Sequence, residues 1–148
     1  MSLPIRFMPP GCPAGRPSTG SASGAVLTSV AVQLDPDALN RLRDLDPRGQ
    51  GRLIARVLCA FEASLQRMLP ELVRAGRSED LPTVKLIVHT LKSSAAIVGA
   101  TAMAQQCTDI EVMLRENRLH SLLPCIDALL VEATGVRAAL QQVPEHAA

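Results

Sequence analysis

The chain has 148 residues, 47% of them hydrophobic, and a formal net charge of +1. That suits one domain with a core of its own and gives no global attraction to nucleic acid or anionic lipid. Aromatic residues make up 1%, so the stacking platforms of single-strand binders are missing and nucleic-acid binding is not expected.

Cys12, Cys59, Cys107 and Cys125 have no C-x-x-C spacing and are expected to be reduced intracellular thiols that behave as small hydrophobes. No apolar run approaches the ~18 residues a spanning helix needs, and proline and charge interrupt Met1 to Phe7 before any apolar region can form. Neither a membrane span nor a secretory signal is expected, and the expected location is the cytoplasm.

Residues 1–30 are rich in Pro, Gly and Ser and lack periodicity, the pattern of a flexible tail. Asp35-Pro36 supplies an N-cap followed by proline at the first helical position. Leu39 and Leu42 then give a short amphipathic helix that stops near Asp46-Pro47. Ile54, Val57, Leu58, Phe61, Leu65, Met68, Leu69 and Leu72 form one apolar stripe, which predicts a long helix ending near Gly76 and kinked at Pro70. Ser78 or Asp80 caps a third helix, with Pro82 in its first turn and Gly99 ending or bending it. A fourth helix turns Met103, Cys107, Ile110 and Leu114 inward. Ser121 caps a fifth, whose stripe is Leu122, Ile126, Leu129, Leu130, Ala133, Val136 and Leu140. No strand pattern emerges. The predicted class is all-α: an antiparallel up-down four-helix bundle over residues 33–143 with one additional short N-terminal helix.

Chemistry concentrates on the third helix. At 100° per residue, Val84, Ile87, Val88, Leu91, Ala95 and Val98 gather on one buried face, and His89 points the other way. Lys85, Lys92, Ser93 and Ala96 share its side of the helix within about 60°. Two cations there repel an imidazolium but welcome an anion, and small side chains let another protein approach closely. Both suit a histidine that carries phosphate. Neutral imidazole offers a lone pair near pH 7 and needs no strong base to attack phosphorus.

His89-Thr90-Leu91-Lys92-Ser93-Ser94, followed by Gly99-Ala100, Cys107 and Glu111, resembles the histidine-containing phosphotransfer (HPt) domain of two-component phosphorelays from about Leu34 to Val143. The resemblance implies that His89 takes a phosphoryl group from a receiver-domain aspartate and passes it to another, and that Lys92 stabilises the phosphate. It further implies that Glu111 bonds the other ring nitrogen and so leaves Nε2 as nucleophile. Lys85, Ser93, Ala96 and Gly99 are assigned to the docking surface. The implied partners are the receiver domains of a hybrid histidine kinase and of a response regulator; any Mg²⁺ belongs to the receiver, and no cofactor or metal is expected on this chain, itself expected to be a monomer. The family usually has glycine where this chain has Ser93. That departure favours the alternative of a helical adaptor that binds receivers without accepting phosphate. A kinase reading fails for want of an H-box proline and an ATP-binding domain, and His120 and His146, the latter in a frayed C-terminus, have no partner constellation.

Overall fold

The computed structural model describes residues 32–147; the expected tail at 1–30 lies outside them. Helix α1 (Pro36–Leu45) begins at Asp35, whose side chain accepts from the Asp37 amide at 3.0 Å. Asp46 ends α1 and also reaches forward, its carboxylate accepting from the Leu53 amide at 3.1 Å, to cap α2 (Leu53–Arg77). Helix α3 (Leu81–Val98) starts under Asp80, which accepts from the Thr83 amide, so Asp80 rather than Ser78 is the cap. Helix α4 (Thr101–Arg115), a 3₁₀ turn (Leu119–Ser121), α5 (Leu122–Leu140) and a short α6 (Pro144–Ala147) complete the chain.

Three helices close on a residue with positive φ: Glu79 after α2, Gly99 after α3 and Asn117 after α4. In each, the following amide turns back five residues, Asp80 to the Ala75 carbonyl, Ala100 to Ala95 and Arg118 to Met113, at 2.8–2.9 Å, which satisfies otherwise orphaned carbonyls. These connections are too short for anything but an antiparallel return. Helix α2 packs on α3, α3 on α4, α4 on α5, and α5 back on α2, which closes a four-helix ring. Helix α1 lies across α2 and α3, and α6 against α2. No strand occurs among the described residues.

Leu58, Leu65, Leu72, Val84, Val88, Leu91, Met103, Ile110, Met113, Ile126, Leu129 and Leu140 are fully buried and fill the ring. At ~25 cal/mol per Å² of apolar surface removed from water, each Leu or Ile contributes roughly 1.5–3 kcal/mol.

Helix α2 ends at Arg77, one residue past Gly76, as expected, and Pro70 lies inside it. Gly76 has a further role: a Cβ there would come within 2.7 Å of Ile126 Cδ1, so glycine brings α2 close to α5. Other expectations need correction. Met113 takes the core position expected of Leu114, which is half-buried at the edge of α4. Ser121 precedes α5 but makes no capping bond, and its hydroxyl is buried without a partner. Cys59 and Cys107 are free thiols, whereas Cys125 is disulfide-bonded and so departs from the expectation of reduced cysteines.

The expectation about spanning helices also shifts. Leu119–Leu140 has the length and mean hydropathy (1.4) of a membrane-crossing helix, alone among the described residues. Its Leu122, Cys125, Ile126, Leu129, Ala133, Val136 and Leu140 are nevertheless buried in the bundle.

Candidate functional site

Two neighbouring helices build the site. All six α3 residues expected on the core face are buried, and with that face pinned His89 is turned outward, its side chain 65% exposed. On α4, Met103, Cys107 and Ile110 are buried, which sets Glu111, one helical turn after Cys107, at the rim of the α3–α4 seam with a side chain only 15% exposed.

Glu111 binds both predicted partners at once. Its Oε2 lies 3.0 Å from His89 Nδ1, and its Oε1 accepts from Lys92 Nζ at 2.6 Å. Burial by itself pushes the Glu111 carboxyl up; the hydrogen bonds from Lys92 and His89 outweigh that and hold it below the ordinary value of 4.5. An ionised carboxylate can only accept, so the proton shared with His89 sits on Nδ1 and the lone pair on Nε2. Directly beneath, Cys107 is buried and its thiol is pushed up to about 12, by burial first and then by the Glu111 charge, so it stays protonated.

Lys85, His89, Lys92, Glu111, Leu114 and Arg115 line a cleft of about 300 Å³. Lys85 is exposed and Lys92 half-buried. Arg115 is the member that sequence reasoning missed; it stands four residues after Glu111 and therefore on the same face of α4, a spacing that would have found it. On the other flank Ser93 and Ala96 are exposed, and the Ser93 hydroxyl donates back to the His89 carbonyl at 3.4 Å. Leu86 (66% exposed) and Ile97 (54%) extend that flank with apolar surface that core-face periodicity did not single out.

Gly99 does not join this surface. It is buried, with φ +86°, and its carbonyl accepts from the Asp35 amide at 2.8 Å, so the start of α1 covers it. Its role is to end α3 and seat α1. His146 is not frayed either, since its side chain is 7% exposed and hydrogen-bonded. His120 is exposed within the 3₁₀ turn. Among the described residues no group of three or more His, Cys, Asp or Glu side chains is placed to hold a metal.

A four-helix ring that presents an outward histidine between cations, its inner nitrogen held by a carboxylate, defines the class of helical phosphoryl carriers. The family model of the Hpt domain matches residues 56–146, and the chain belongs to that family. Its general role is accordingly phosphotransfer in two-component signalling, as a carrier and not as a kinase. No curated protein and no solved structure matches the chain.

Proposed function

We propose that the protein is a phosphocarrier that accepts a phosphoryl group on His89 Nε2 from a receiver-domain aspartyl phosphate and yields it to a second receiver aspartate. One observation carries this reading: Glu111 holds Nδ1 on the inner side of the ring, which turns Nε2 toward solvent in a cleft lined by three cations.

In the forward step Nε2 attacks phosphorus, the N–P bond forms as the P–O bond to the aspartyl group breaks, and the receiver's carboxylate leaves. The ring becomes a phosphorylated imidazolium whose charge faces the Glu111 carboxylate. Transfer onward is the same step reversed on another aspartate. Such a transfer has a loose transition state with charge spread over the equatorial oxygens, so fixed cations and alignment are the main things a protein can contribute. Lys92, Lys85 and Arg115 supply positive charge around the incoming group. Lys92 is tied to Glu111 at 2.6 Å and reaches the phosphate by sharing or exchanging that contact. The receiver docks on the flank of Leu86, Ser93, Ala96 and Ile97, where small and apolar side chains permit close approach. Any Mg²⁺ belongs to the receiver. The chain acts in the cytoplasm, as a monomer and without autokinase activity.

The test is incubation with a panel of phosphorylated receivers, followed by intact mass and acid-lability measurements on wild type and His89→Gln. Acid-labile, base-stable phosphate on wild type alone supports the reading. Receiver binding without phosphate transfer would instead establish the adaptor alternative that Ser93 suggests. The Ser93 hydroxyl is folded back onto the His89 carbonyl, which limits its bulk and weighs against that alternative.

A further inference from the structure

A second chemical constellation lies where α6 meets α2. The His146 ring is nearly enclosed, 7% exposed, and its Nε2 lies 3.0 Å from Glu62 Oε1. Glu62 is itself tied to the end of α5: the side-chain amide of Gln141, just past the helix, donates to Oε1 at 3.4 Å, and Arg137 stands 3.6 Å from Oε2. Because a carboxylate accepts, the His146 proton sits on Nε2 and the lone pair on Nδ1. In that tautomer the 3.4 Å approach of Gln141 Nε2 to the same ring nitrogen is donor against donor, and the amide is satisfied by Glu62. Among the described residues the one polar contact of Nδ1 is Cys59 Sγ at 3.9 Å. A buried ring nitrogen is thus aimed at a thiol, with the far side of the ring oriented by a carboxylate.

Among the described residues the other free thiol is Cys107, and Cys59 differs from it in exposure and in its neighbours. Cys107 is buried and held protonated; Cys59 is exposed, with a base beside it. It also opens onto a cleft of about 370 Å³ lined by Gln50, Gly51, Arg52, Ala55, Arg56 and Cys59. Arg52 and Arg56 place two guanidinium groups there, which suits a carboxylate-bearing molecule.

We propose that Cys59 is a thiol-modification site whose co-reactant is a small disulfide carrying carboxylates, with His146 as the base and Glu62 as the group that positions it. The Cys59 S–H gives its proton to His146 Nδ1, and the thiolate attacks one sulfur of R–S–S–R. The new Cys59–S–S–R bond forms as the original S–S bond breaks. The departing R–S⁻ takes the proton back from His146 and leaves as R–SH. Cys59 is oxidised and half of the disulfide reduced, so no further reagent is needed. Nothing in this step involves His89, and the proposal stands apart from phosphotransfer.

The test treats the full-length chain with oxidised glutathione at pH 7 and follows the Cys59 adduct by peptide mass spectrometry, against a synthetic peptide of residues 55–63 as the unstructured reference. The expected result is an adduct rate at Cys59 at least tenfold above the peptide's, lost in His146→Gln and Glu62→Gln, and unchanged in His89→Gln. Arg52→Ala with Arg56→Ala is expected to slow glutathione disulfide severalfold but not the uncharged bis(2-hydroxyethyl) disulfide. The pH profile of the rate should change shape in His146→Gln, because without the base the rate follows the thiolate fraction of Cys59 alone; Glu62, Gln141 and Arg137 are the other polar groups facing the ring. A wild-type rate at or below the peptide's would overturn the proposal. So would a folded His146→Gln variant that reacts as fast as wild type. If that variant does not fold, the ratio of wild type to peptide decides alone.

Discussion

Glu111 is the residue on which the site most depends, and its replacement can be worked through. Glu111→Ala removes the acceptor that fixes the His89 tautomer and frees Lys92 from a 2.6 Å contact. A hydrogen bond to a charged acceptor is worth roughly 1.5–3 kcal/mol when well enclosed. The His89 side chain is 65% exposed, so water competes and the figure falls to about 1 kcal/mol. That energy is a factor of about five in the ratio of ring tautomers, and at most the same factor in the rate of attack by Nε2, which follows the fraction of the reactive tautomer. Glu111→Gln keeps an acceptor but loses the charge, so its rate should fall about twofold and its tautomer ratio lie between the other two. The assay pairs ring ¹⁵N shifts, which report the tautomer, with the rate of phosphoryl transfer from a receiver. If Glu111→Ala leaves the ¹⁵N pattern and the rate unchanged, the orienting role is refuted. If the tautomer shifts and the rate does not, Nδ1 control is real but without consequence for transfer.

The same carboxylate makes a pH prediction. Because its folded-state pKa lies below the ordinary 4.5, its contribution to stability is present above that value and is lost as pH falls through the lower, folded one. Wild type should therefore be more stable than Glu111→Gln at pH 7 in urea unfolding, and the difference should shrink as pH falls below 4.5 and vanish once pH is below the folded-state value. Gly99→Ala forces a side chain into φ +86° and puts a Cβ within 2.8 Å of the Asp35 amide nitrogen; it should cost about 1–3 kcal/mol in the same assay and loosen α1, seen as faster amide exchange at Ala38 and Leu39. Met113→Ala should cost about 2–5 kcal/mol, whereas Leu114→Ala, half-buried at the rim of the cleft, should cost less than half as much by thermal or urea melts.

Much of the candidate site could be read from spacing. His89 and Lys92 share a side of α3 because three residues of helix turn 300°, and Glu111 lies 40° from buried Cys107, so it belongs at the edge of a packed seam. That Glu111 reaches both His89 and Lys92 was not legible, because the reach depends on how far α3 and α4 approach and rotate against each other. Arg115 follows from Glu111 by one helical turn once α4 is known to face the site. Gly99 illustrates the opposite case. Its place after the last apolar residue of α3 told that it ends the helix, but its burial is a contact with Asp35, 64 positions away in sequence.

The amino-acid sequence by itself determined the helices, their inward faces, and the outward histidine among cations. These are local properties, set by a 3.6-residue period, by Asp caps and by residues that tolerate positive φ. Only the tertiary structure decided that Gly76 is a contact point for α5, that Met113 and not Leu114 enters the core, and that His146 leaves the C-terminus to sit between Glu62 and Cys59. Each of these depends on which residues, distant along the chain, meet when the ring of helices closes. Periodicity gives every helix a buried side, but packing alone fixes which neighbour that side finds and how deep each side chain goes.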